Sequence, residues 1–138
     1  MENVPYTLRV LEAYEDEVAG AAYFDGLASA YPLRCAFFEK CAALERATAS
    51  QLSALIGKYQ LTPRAQTTLE ERGAHEARRQ AGSDWRELLQ QSTQSYARYV
   101  AEFKRLEAIG PKEDQLILAA LTAHEVQLID WMRAEIGS

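Results

Sequence analysis

Three breaker segments decide what this chain can fold into. Tyr31-Pro32, Leu61-Thr62-Pro63 and Gly110-Pro111 interrupt a sequence otherwise dominated by Ala, Leu, Glu, Gln and Arg, all good helix formers. No sustained apolar–polar alternation marks a strand. The spacing predicts four long helices, over about 7–29, 33–59, 84–108 and 112–136. Pro32 suits the first turn of the second helix. Asp84, three residues before Glu87, makes a capping-box-like start to the third, and Gly137 closes the fourth.

The lengths of the connections carry topology. The first and last are short, so helices one and two should run antiparallel, and likewise three and four. The middle connection spans roughly twenty residues, well beyond the 2–8 usual between bundle helices. Its polar stretch, 64–82, has room for one short amphipathic helix around 69–80. A helix of about 26 residues is about 40 Å long, and a link that long can run from one end to the other. Short, long, short is the pattern of an all-α four-helix bundle with one long crossover between helices two and three. At 138 residues the chain, 1–138, reads as a single domain with a real core.

Composition removes several function classes. A formal net charge of −5 offers no basic face to neutralise phosphates, so no nucleic-acid partner is expected. The one basic run, Arg72 to Arg79, is interleaved with Glu71 and Glu76 and reads as a solvated face, with His75 exposed in it. No apolar run approaches the roughly 20 residues of a membrane span, and no basic-then-apolar leader opens the sequence. Cys35 and Cys41, on different faces of one helix, cannot bridge each other and fit buried thiols in a reducing, cytoplasmic compartment. There is no Gly-rich phosphate loop, nucleophile elbow or paired-Cys motif.

What remains is a set of glutamates in the wrong surroundings. Glu17 has Val10, Ala13, Tyr14, Gly20, Ala21 and Phe24 at three, four and seven residues. Glu45 has Phe38, Cys41, Ala42, Thr48, Ala49 and Leu52, and Glu125 has Leu118, Leu121, Thr122, Leu128, Ile129 and Met132. Residues at those spacings share a helix face, so each carboxylate should point into a core. An unpaired buried carboxylate costs several kcal/mol, roughly. A metal, a proton or a hydrogen-bond network must compensate.

With these residues in hand the chain resembles the ferritin-like superfamily, the carboxylate-bridged di-iron bundles that include rubrerythrins. The stretches that carry the resemblance are Glu17 to Phe24, Leu44 to Thr48 and Ala123-His124-Glu125. The resemblance implies one Glu from each of two helices and a Glu-x-x-His pair from each of the other two. This sequence departs from that pattern. Thr48 and Leu128 stand where the two histidines would be, and the third helix offers Ser92, Ser95, Tyr96 and Tyr99 in place of a carboxylate. Glu102, flanked by Arg98 and Arg105, reads as surface. Ala21, one turn after Glu17, is an alternative place for a ligand that has been lost. Three carboxylates against the +4 of two divalent ions argue against a full dinuclear centre.

His124 is open to two readings: a core histidine bonded to a glutamate or tyrosine, or a repositioned metal ligand. Adjacent helical residues diverge by about 100°, so His124 and Glu125 are not expected to grip one ion easily. The first functional expectation is a divergent ferritin-like protein with a degenerate metal site and a binding or structural role. There Tyr14, Thr48, Tyr96, Tyr99 and His124 would hold the glutamates in a hydrogen-bond network. The second is a metal-dependent oxidoreductase or peroxide-handling protein, with iron, manganese or zinc at low occupancy on Glu17, Glu45, Glu125 and His124. The third is a small apolar ligand held between helices. Whether the protein is an enzyme is left open by these residues. A homodimer formed through flat helix faces is expected on the same resemblance.

Overall fold

Residues 5–138, described here in a computed structural model, form five α-helices joined by turns, with no strand among them. They are α1 (Tyr6–Ala30), α2 (Cys35–Lys58), α3 (Gln66–Gln80), α4 (Trp85–Ile109) and α5 (Gln115–Ile136). The breakers fall between helices as expected: Pro32 and Pro111 each lead into a single 3-10 turn, and Pro63 precedes α3. The capping prediction at Asp84 is met, its side chain accepting from the Glu87 N–H at 3.2 Å. The short helix in the crossover is a full 15 residues. It starts at Gln66, ahead of the first apolar residue, Leu69, which is why periodicity located only its second part.

Contacts between helix ends fix the directions. Tyr6, opening α1, stacks edge-on with Tyr59 at the end of α2, with 5.9 Å between ring centres. Arg34, before α2, pairs with Glu135 at the end of α5 at 2.8 Å, while Lys58, ending α2, reaches Asp114 before α5 at 2.6 Å. Arg86, in the first turn of α4, donates to the Ile136 carbonyl at 3.1 Å. Thus α1 and α5 run one way, and α2 and α4 the other. The chain leaves α2 at one end and starts α4 at the opposite end, so residues 59–84 must travel the length of the molecule.

They do so along α1. Gly73 of α3 sits so close that a Cβ there would lie 2.0 Å from the Ala19 carbonyl oxygen, and a Cβ on Gly26 would lie 2.5 Å from the Ala77 methyl. Sandwiched between α2 and α3, α1 is buried on more than the one stripe that periodicity indicates. Leu11, Tyr14 and Val18 are only half-buried, whereas Glu15 and Ala19 are buried. In contrast α1 barely touches α4, and the gap between them is the cleft described below.

The core has two apolar halves. One gathers Phe24, Leu27, Phe38, Cys41, Leu89, Leu128 and Met132, and the other Val10, Leu52, Leu55, Phe103, Leu118 and Leu121. Between them, along every core helix except α4, comes a polar residue: Glu17 on α1, Glu45 on α2, and His124 with Glu125 on α5. Among the described residues no helix is long and apolar enough to cross a membrane. Cys35 and Cys41 are free, as expected, and burial, with the nearby Glu45 charge, pushes the Cys41 thiol up to about 12.

Candidate metal centre

All four residues singled out from the sequence meet at one point. Glu17, Glu45, His124 and Glu125 each offer a ligand atom, and these atoms lie within 4.8 Å of one another. Their exposures are 3%, 6%, 4% and 5%, so the cluster is out of bulk water. Glu17 joins the cluster, while Ala21 lines a separate groove with Ala22, Ala49 and Ser53.

His124 and Glu125, not expected to grip one ion easily, nonetheless bring ligand atoms to one point. A 100° step separates their Cα–Cβ directions, but both side chains are long enough to bend back to a common point. His124 Nε2 lies 3.4 Å from Glu125 Oε1, and 2.8 Å from both Glu17 Oε1 and Glu45 Oε2. The ring is oriented from behind, Nδ1–H donating to the Leu121 carbonyl one turn earlier. That bond fixes which nitrogen faces the carboxylates. Nε2 then needs a positive partner: its own proton, or a cation.

Donors are short. Nε2–H serves Glu45 Oε2 at 2.8 Å, and it has only one hydrogen to give. Glu17 Oε1, equally near, is left fully buried with no hydrogen-bond partner. The wider network expected from the sequence does not form among the described residues. Thr48 donates to its own helix at the Leu44 carbonyl, and Tyr14, Tyr96 and Tyr99 give no hydrogen bond to the carboxylates. Tyr99, expected inward, is 38% exposed because α4 stands off from α1.

Electrostatics follows from that shortage. Burial, together with the Glu45 charge, holds the Glu17 carboxyl well above the usual range. The same two causes push Glu125 up to about 8. At His124 burial opposes protonation, yet the Glu17 and Glu45 carboxylates close to Nε2 outweigh it and push the imidazole up to about 11. The cluster therefore keeps its own protons to stay neutral enough to be buried.

These residues fit a divalent ion. Three carboxylate oxygens and one imidazole suit iron, manganese or zinc, and a tetrahedral or octahedral ion with bonds of about 2.1 Å spaces neighbouring donors about 3.0–3.4 Å apart. The observed 2.8–3.4 Å separations from Nε2 need little adjustment. The Glu17 oxygen without a hydrogen-bond partner is free to face such an ion.

A cleft of about 650 Å³ leads from the surface between α1, α3 and α4 to Glu17, Glu45 and Glu125. Tyr23, Tyr96, Tyr99 and Phe103 form aromatic walls, and Ser92 and Ser95 add hydroxyls. His75, exposed as expected, is at the rim with Arg98. Sequence reasoning missed one contributor, Gly20, whose lack of a side chain makes room for the Glu45 carboxylate. It also missed two buried acids away from the site, Glu15 and Asp114. Comparison with protein-family models, with curated proteins and with solved structures gives no match.

Proposed function

We propose that this protein binds a single divalent transition-metal ion through Glu17, Glu45, Glu125 and His124, within a divergent ferritin-like bundle. The observation that carries the reading is the unpartnered, fully buried Glu17 Oε1, 2.8 Å from an imidazole nitrogen already committed elsewhere. An oxygen so placed is open to a cation without the loss of a hydrogen bond. The directions of α1, α2, α4 and α5, and the link that runs the molecule's length, favour the resemblance to ferritin-like bundles. One ion is favoured over two, because α4 brings no carboxylate and the four ligand atoms share one point.

Such an ion supplies Lewis-acid chemistry and, as iron or manganese, one-electron chemistry toward oxygen or peroxide. The chain's own contribution is then clear. Leu121 orients His124, the two apolar core halves exclude water from above and below, and the cleft admits a small molecule on one side. To hold an ion, Glu17 and Glu125 would have to give up their carboxyl protons and His124 its Nε2 proton, so binding should tighten as pH rises.

The test is elemental analysis of protein purified without an affinity metal column, loaded separately with ferrous iron, manganese and zinc. Close to one ion per chain, lost in Glu45→Ala, supports the reading. No retained metal under any loading overturns it and returns the site to a proton-held, structural role.

A further inference from the structure

Glu45 can reach the cluster only because the residue opposite it on α1 has no side chain. A Cβ built on Gly20 would lie 2.2 Å from Glu45 Oε1 and 3.2 Å from its carboxyl carbon. Gly20 also lines the cleft, but the approach of Glu45 is the tightest contact at that position. Gly20 is in the middle of a 25-residue helix, where glycine costs about 1 kcal/mol against alanine. Its backbone is ordinary helix with no positive φ, so no turn requires it. A structural glycine is recognisable elsewhere: Gly73 is pressed against backbone of α1, and helix packing accounts for it. Gly20 is pressed only against the functional end of one side chain.

We propose that Gly20 is a positioning residue of the metal centre, the notch that lets the Glu45 carboxylate meet Glu17, Glu125 and His124. The inference rests on the metal-binding reading above. Glu17 and Gly20 are three residues apart and share a face of α1. One turn of helix thus supplies a ligand and, beside it, the room for a second ligand from α2. With a methyl group in the notch, the Glu45 carboxylate has to swing away from Nε2 of His124, its present partner at 2.8 Å. Supporting groups around a metal ligand typically govern affinity by about 10–100-fold.

The experiment is titration calorimetry with Mn²⁺ on metal-free protein, with circular dichroism and urea melts of each variant alongside. Gly20→Ala is expected to stay helical and lose at least about 10-fold in Mn²⁺ affinity. Gly20→Ala combined with Glu45→Asp, one methylene shorter, is expected to recover most of that loss relative to Gly20→Ala alone. Gly57→Ala, at a helical glycine with nothing near its Cβ, is the control and should bind as wild type does. A folded Gly20→Ala protein with wild-type affinity overturns the proposal. So does a double variant no better than Gly20→Ala. If wild-type protein takes up no Mn²⁺, iron or zinc, it is the metal reading itself that has failed. If Gly20→Ala does not fold, the double variant decides alone: folding with Mn²⁺ binding restored supports the notch, and folding without it overturns the notch.

Discussion

Two buried acidic regions of this molecule are built to opposite rules. At one end Asp114, 1% exposed, accepts from Lys58 Nζ at 2.6 Å on one oxygen, and from Tyr59 and Tyr6 hydroxyls at 2.6 and 2.9 Å on the other. One carboxylate has three donors. At mid-height Glu17, Glu45 and Glu125 share one imidazole, and an oxygen of Glu17 has no partner. The first arrangement satisfies an ionised acid and ties α1, α2 and the α4–α5 turn together. The second is solvable only by protons or by a cation. Burial alone therefore does not distinguish a structural acid from a ligand; donors counted per carboxylate do.

The largest effect is expected at the saturated site. Asp114→Ala should cost about 3 kcal/mol in urea unfolding, since it removes the acceptor of three hydrogen bonds at about 1 kcal/mol each, and the loss should be the same with or without metal. At the unsaturated site the expected effect is metal-dependent. A divalent ion at about 100 times its Kd should stabilise wild type by about 2.7 kcal/mol and leave Glu45→Ala unmoved. An Asp114→Ala protein that lost its response to metal while still folded would break the comparison.

The two regions should also tilt stability in opposite directions with pH. Burial acts to raise Asp114, but hydrogen bonds from Lys58, Tyr59 and Tyr6 prevail and hold its carboxyl below the usual range. Its contribution is present above the ordinary carboxylate range and disappears as pH falls through the lowered value, so Asp114→Asn should flatten the acid limb. Glu125, pushed up to about 8, behaves in reverse. Its contribution is complete below the ordinary value and disappears as pH rises through about 8. In metal-free protein Glu125→Gln should be more stable than wild type near pH 9 by about 2 kcal/mol, and little different near pH 5. Urea midpoints taken from about pH 2 to about pH 9 check both limbs.

The smallest effect belongs to a third buried acidic region, at Glu15. Glu15 accepts from both the backbone N–H and the guanidinium of Arg64, each at 2.8 Å. Since Arg64→Ala keeps the backbone bond and removes an exposed group, it should cost only about 0.5–1 kcal/mol in the same melts.

These regions also differ in how far the sequence foretells them. The four long helices and the length-spanning link follow from Pro32, Pro63, Pro111, Gly110 and the Asp84 cap, all of which act locally. Glu17, Glu45 and Glu125 are visible because apolar neighbours at helical spacing surround each one. Asp114 is not, for its donors lie 55, 56 and 108 residues away and no local pattern announces them. Glu15 is hidden in the same way, because its burial depends on α3 lying along α1. The convergence of His124 with Glu125 is not legible from the angular step between them, because side-chain length also decides it. Gly20 had a signal, a mid-helix glycine three residues after a buried glutamate, but only the position of Glu45 gives it meaning.

The most direct measurement is an anomalous-scattering map from crystals grown with Mn²⁺ or Zn²⁺. A single strong peak within bonding distance of Glu17, Glu45, Glu125 and His124, one per chain, is the expected result. Well-ordered crystals with no peak there, and Glu17 bonded to a neighbouring side chain, would contradict a metal centre.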